Sequence, residues 1–312
     1  MKLFNKSLVL MFLFLSAITA SASQDVQIYT TDNSKGKITG ETIEKAFVDA
    51  GFVVSGNRNM HIAFNSKFQH INNKMYHLLY LHKKDLVSEL IKVSPRAALF
   101  APLSMSIYTR KGSTDISIAS LSLEGMAKIT GIPATNKYML KYSKLVQSVL
   151  RKALPQGHFE KPAYKQREAT GSLITSFVGE MDVEDDEIED ERTGLEMELK
   201  SSLETVGFII AGYNTLGDDL KKSGYDKYDF FDAYSICKLS VIFEISKNHP
   251  EAGALAPCTL YIYKEKGSSE VHLEFPSVNN WFSSLAIDDK VSVKELKSAE
   301  QLVIDVVNEV IE

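Results

Sequence analysis

Apolar and polar positions follow two periods along this chain, and the order in which those periods come occurs twice. Residues 26–29 suit an opening strand, and residues 39–50 place Ile43, Ala46, Phe47 and Ala50 at helical spacing, closed by Gly51. Strand-like runs follow at 52–54, 75–81, 103–109 and 115–120, the last two joined by a turn at Lys111-Gly112. Helical spacing returns over 136–153. The second series predicts a strand at 175–178 and a helix at 188–206. Strands follow near Phe208 and at 230–236, 259–264 and 270–275, then a closing helix at 293–311. Residues 85–93 and 239–247 are ambiguous by period and are assigned as short helices crossing between strands.

The repetition extends to residue identity. Pro95-Arg96-Ala97-Ala98-Leu99-Phe100-Ala101-Pro102 recurs as Pro250-Glu251-Ala252-Gly253-Ala254-Leu255-Ala256-Pro257. Downstream, Tyr108 and Lys111-Gly112-Ser113 fall on Tyr263 and Lys266-Gly267-Ser268. Upstream, Ala50-Gly51-Phe52-Val53-Val54 falls on Val206-Gly207-Phe208-Ile209-Ile210, with the offset changed by a single residue. Units this long exceed the ~20–50 residues of a solenoid repeat and read as complete domains in tandem. The expected organisation is a leader at 1–22, a first repeat domain at 23–154, a linker at 155–170 and a second repeat domain at 171–312. Pro155-Gln156-Gly157-His158 and Lys161-Pro162 mark the linker.

The leader reads as a secretory signal peptide. Lys2 and Lys6 form its basic start, residues 8–15 its apolar stretch, and Ala20-Ser21-Ala22 its small-residue cleavage site. The apolar run is short for a bilayer span of ~20 residues, and no later stretch approaches that length, so no transmembrane segment is expected after cleavage. A periplasmic or secreted location follows.

Composition is that of a globular protein, with 44% apolar and 24% charged residues, enough for a core in each half. The net charge of −5 conceals an asymmetry. Residues 23–160 carry 18 Lys and Arg against 10 Asp and Glu, whereas residues 161–312 carry 15 against 30. Opposite charge suits docking of the basic first domain on the acidic second, or reflects independent drift of two solvated surfaces. Nucleic acid is a poor partner, because no basic run or aromatic-basic motif is present.

The order of Gly-Phe after the first helix, a strand ending in Cys, a short helix, then Pro, an apolar run and Pro-Cys leading into a strand resembles the domain-of-unknown-function 302 family. The resemblance covers both units and is sharpest from Cys237 to Cys258. It implies a compact α+β fold in each of two tandem domains, an antiparallel-rich sheet with flanking helices, similar to one half of the TATA-binding protein. It implies no established activity. In the first unit the positions of the two cysteines are held by His82 and Leu103, a departure from the family pattern.

Cys237 and Cys258 are the only cysteines and the first candidates for chemistry. Three readings stand open: a disulfide or two buried thiols, a redox-active pair, or a ligand pair for a soft metal or haem. A metal site would want a third donor, His249, His272 or Met181; His249, between the cysteines and just before Pro250, is the best placed. No short CxxC spacing supports a thioredoxin-like role. Among the histidines, strand alternation over 75–82 puts His77 on a face with Met75, Leu79 and Leu81, and His82 on the other with Tyr76, Leu78 and Tyr80. His61 and His70 fall in expected loops. Residues 182–191 hold eight carboxylates interrupted by Val183 and Ile188, without the glycine and spacing of a calcium loop, and read as a solvated helix start.

A phosphate loop, a nucleophile elbow and a zinc-hydrolase histidine pair are all missing from the sequence. The expected function is therefore non-enzymatic binding of a small ligand or a protein, with a pocket between the two units as its natural seat. The alternative is a thiol- or metal-dependent function centred on Cys237 and Cys258. The cofactor, if any, is left unknown.

Overall fold

The structure, a computed structural model, describes residues 24–311; the expected signal peptide lies outside them. The first half forms β1 (Val26–Asp32), α1 (Gly40–Asp49), β2 (Val53–Asn59), α2 (Met60–Phe68), β3 (Met75–His82), α3 (Lys84–Ile91), a 3-10 turn (Pro95–Phe100), β4 (Leu103–Thr109), β5 (Asp115–Leu121), α4 (Leu123–Thr130) and α5 (Lys137–Ala153). After β6 (His158–Glu160), the second half forms β7 (Ile174–Glu180), α6 (Ile188–Thr205), β8 (Ile209–Thr215), α7 (Leu216–Lys222), β9 (Tyr228–Cys237), α8 (Leu239–Ile245), a 3-10 turn (Pro250–Ala254), β10 (Cys258–Glu265), β11 (Glu270–Pro276), α9 (Asn279–Ser284) and α10 (Lys290–Ile311).

Two antiparallel sheets with flanking helices result, so the fold is α+β. Their strand orders are β2-β3-β4-β5-β1-β6 and β7-β11-β10-β9-β8. Without β6, the first order maps strand for strand on the second. The match reaches single residues. Val53 pairs with His82 as Ile209 pairs with Cys237, and each edge strand slips register next, between Val54 and Gly56 and between Ile210 and Gly212. Gly51 and Gly207 end the first helix of each half at φ 78° and 86°, a conformation that carries the chain sharply into the next strand and that side chains resist. Ala101-Pro102 and Ala256-Pro257 are both cis.

Both sheets are buried on both faces, which is why β3 reads as an almost unbroken apolar run. Its Leu79 and Leu81 pack under α1, α3 and α5, while Tyr76, Leu78 and Tyr80 join the core that holds β9, β10 and α10. In return, β9 and β10 send Phe231 and Tyr261 into the core of the first half. The contacts between halves are reciprocal: the turn Pro250–Ala254 lies on β4 and the turn Pro95–Phe100 on β10, α2 meets α8 and α3 meets α7. Such exchange is the signature of an isologous, two-fold interface, here made within one chain. Among the described residues three ion pairs cross it, Lys84–Asp219, Arg96–Glu274 and Arg110–Glu251, each with its cation on the first half and its anion on the second.

Residues 158–160, within the expected linker, form β6, which pairs with β1 from Ile28 to Thr30, and Tyr29 Oη donates to Gly157 O at 2.8 Å. One expectation is corrected. His61 is not in a loop but in the first turn of α2, whose cap is Asn59, its Oδ1 accepting from His61 N at 3.0 Å. No described helix is long and apolar enough to cross a membrane.

Candidate functional site

Cys237 ends β9 and Cys258 begins β10; because Cys258 lies opposite Ile236, the two cysteines are diagonal neighbours across the strand pair. Both thiols are free, so the disulfide admitted by the sequence is not formed. Burial pushes each thiol up to about 12. They are therefore protonated at neutral pH and behave as small apolar groups. Alkylation with iodoacetamide at pH 8 is accordingly expected to be at least a hundredfold slower in the folded protein than in denaturant. Equal rates would show that the thiols are not held in this environment.

The two thiols border an apolar cavity of about 60 Å³, walled by Phe208, Trp281, Leu296 and Val303. Ligand pockets begin near ~300 Å³, so this space does not fit haem or a substrate-sized molecule. The first-half counterparts hold no cysteine-like pair: Leu103 is buried opposite Leu81, and His82 is 2% exposed with a buried Nδ1 that finds no hydrogen-bond partner. Burial, then Lys84, lowers His82 to about 4. His249 does not join the cysteines. Its Nδ1 lies 3.2 Å from Glu251 Oε1 and its ring packs edge-on against Tyr164. Among the described residues no group of three or more His, Cys, Asp or Glu is placed to hold a metal. His77 and His82 do point to opposite faces of β3; His77 Nδ1 lies 2.9 Å from Asn57 Oδ1.

Cys237 has a second aspect. It also lines an open groove of about 670 Å³ where the halves meet, between α2 on one side and β8 with the start of α8 on the other. The groove is apolar: Met60, Ile62, Ala63, Ile209, Ala211 and Leu239 form its walls, with Leu78 and Tyr80 below. Ile62 is 75% exposed and Ile209 50%. One end is polar. Arg58, held by a 3.3 Å hydrogen bond from Nε to Tyr80 Oη, makes no ion pair among the described residues and leaves its outer guanidinium edge open.

The internal two-fold relation supplies the comparison. At the equivalent place on the other side of the interface, Lys84 stands for Leu239, Asp219 for Ala63 and Asn214 for Arg58. Lys84 and Asp219 pair at 3.0 Å and Asn214 Nδ2 donates to Ala101 O at 3.2 Å, closing that side with polar contacts. Of two equivalent grooves, one is sealed by polar groups and one is open and apolar. Sequence reasoning expected a pocket between the units but named none of the groove's lining residues, because its walls come from residues some 150 apart; aligning the halves and asking where charge replaces apolar residues would have found them.

Fold and site together define an α+β protein of two like halves with an apolar groove at their junction. No protein family and no curated protein matches the chain. Among solved structures, the chain is similar to the crystal structure of uncharacterized conserved protein DUF302 from Bacillus stearothermophilus, at 13% identity and a TM-score of 0.37, over 46% of this chain and 100% of that one.

Proposed function

We propose that this chain is an exported, non-enzymatic binding protein that holds one small amphiphile, an apolar chain with an anionic head, in the groove between α2 and β8. The carrying observation is the open apolar groove of about 670 Å³ with the unpaired Arg58 at its end. Its size falls within the ~300–1,000 Å³ of small-ligand sites. An apolar chain would bury Ile62 and Ile209, whose exposure is costly to leave uncovered, while a carboxylate or similar head would take the guanidinium's free donors. The protonated thiols favour this reading over thiol chemistry, with Cys237 serving as groove wall. The two halves, 23–154 and 171–312, are read as a tandem duplication whose members have diverged, one side to seal and one to bind.

Titration with a fluorescent fatty-acid analogue tests the reading. Saturable binding of one molecule per chain is expected, weakened at least tenfold, about 1.4 kcal/mol, by Ala211→Trp, which fills the groove from a partly exposed position. Arg58→Ala should weaken the carboxylate about tenfold and the matching alcohol hardly at all. Absence of saturable binding, or full affinity in Ala211→Trp, would reject the groove.

A further inference from the structure

The two sheets differ at one edge. In the first half β6 covers the outer edge of β1, pairing Ile28 with Glu160, Tyr29 with Phe159 and Thr30 with His158. The equivalent strand of the second half is β7, where Ser176, Phe177 and Val178 stand for Ile28, Tyr29 and Thr30 by the register of β1 on β5 and of β7 on β11. Among the described residues no strand pairs with the outer edge of β7. Ser277 N donates to Leu173 O and Met181 N to Ser269 O, so the odd-numbered residues of β7 bond β11 and the even-numbered ones turn their N–H and C=O outward. Ser172 Oγ meets both groups of Ile174, but those of Ser176 and Val178 find no partner among the described residues.

That edge is also undefended. Strand edges that stay bare carry lysine, proline or a bulge. The edge strands β2 and β8 each have a register shift, whereas β7 runs in unbroken register from Ile174 to Glu180, without lysine or proline, and its Val178 is 54% exposed. Strand β6 shows what fits such an edge: Phe159 lies opposite Tyr29, ring centroids 4.7 Å apart, with a pair on either side. A second copy of β7, antiparallel about Phe177, meets the same demand. Ser176 then faces Val178 of the copy and exchanges both main-chain hydrogen bonds with it, Phe177 faces Phe177, and Val178 comes diagonal to Val178. Glu180 falls opposite Ile174, so no like charges meet. Beyond the strand, the chain leaving β7 carries Asp182, Glu184, Asp185 and Asp186, and the chain entering it carries Lys161, Lys165 and Arg167 against Glu168. Antiparallel pairing sets each acidic end beside the basic end of the other copy.

We propose that the outer edge of β7 docks a second copy of this chain, the two β7 strands pairing antiparallel about Phe177 so that two sheets become one. The surface is at the opposite edge of the sheet from β8 and the amphiphile groove, and does not depend on that reading. Sedimentation equilibrium of the purified full chain tests it. The mass is expected to rise from one chain to two with concentration. Val178→Pro, which removes an outward N–H, and Val178→Lys, which changes only an exposed side chain, should each weaken the dimer at least tenfold. Val178→Lys keeps the test valid should proline disturb the strand. Under mild oxidant, an equal mixture of Ser176→Cys and Val178→Cys chains should cross-link faster than either alone, because the register sets those two positions opposite each other. A single chain at every concentration, a dimer unchanged in both Val178 variants, or cross-linking of Val178→Cys alone as fast as the mixture would each overturn the proposal.

Discussion

Gly253→Val is expected to destabilise the protein by about 3 kcal/mol or more, read as a lowered midpoint of chemical denaturation with an unchanged slope. Gly253 sits in the turn Pro250–Ala254 where it lies on the first sheet. A Cβ there would come within 2.5 Å of Ser106 Cβ, 2.6 Å of Leu78 Cδ2 and 3.1 Å of Ser106 Cα. Leu78 can give, but Ser106 is in the middle of β4, flanked by β3 and β5, and its backbone cannot. Relief would require the turn to lift, opening the core shared by both halves. Ser106→Gly in the Gly253→Ala background should recover part of the loss, since it removes the nearest atom; additivity of the two changes would show that they do not touch. Gly194→Ala is the matched control. That glycine lies in α6 with nothing within 4 Å of its Cβ, and alanine there should stabilise by up to about 1 kcal/mol.

The close approach at Gly253 also shows where sequence reading reached and where it stopped. The Pro-to-Pro repeat identifies the two turns, and Gly51 and Gly207 the helix ends, because both are local backbone requirements. That the turns cross over onto each other's sheets is a long-range fact with no local signature. Helices α2 and α7 escaped for a different reason. Each buries only two side chains, Met60 and Phe64 in one and Leu216 and Leu220 in the other, too few to print a period. Strand β6 has three exposed residues and exists only because β1 offers it an edge. The cysteines drew attention by rarity, whereas the groove beside Cys237 is made of common apolar residues. Asp232, by contrast, was visible as a lone carboxylate inside the apolar run Phe230-Phe231-Asp232-Ala233-Tyr234. A charge in a buried strand is a signal that period counting passes over.

The contributions of Asp232 and His82 to stability are expected to offset one another largely between about pH 4 and 6.5, and to reveal opposite slopes when either is removed. His82 is lowered from 6.5 to about 4 by burial and then Lys84, with Asp219 acting the other way. The unfolded chain thus binds its proton first, and the stability His82 contributes is present above pH 6.5 and lost as pH falls toward 4. Asp232 is raised from 3.8 to about 7, by burial and Glu196 against the opposing pull of Arg192 and Tyr213. Here the folded chain holds its proton longer, so stability is fullest below pH 4 and declines as pH rises to 7. The shifts correspond to roughly 3–4 kcal/mol across each window, at ~1.4 kcal/mol per unit, and the two run in opposite directions. His82→Leu should therefore unmask a fall in stability from pH 4 to 7, and Asp232→Asn a rise over the same range. Denaturation midpoints at half-unit pH intervals check both, and parallel profiles for the wild type and the two variants would show that neither group is held in the protonation state its surroundings dictate.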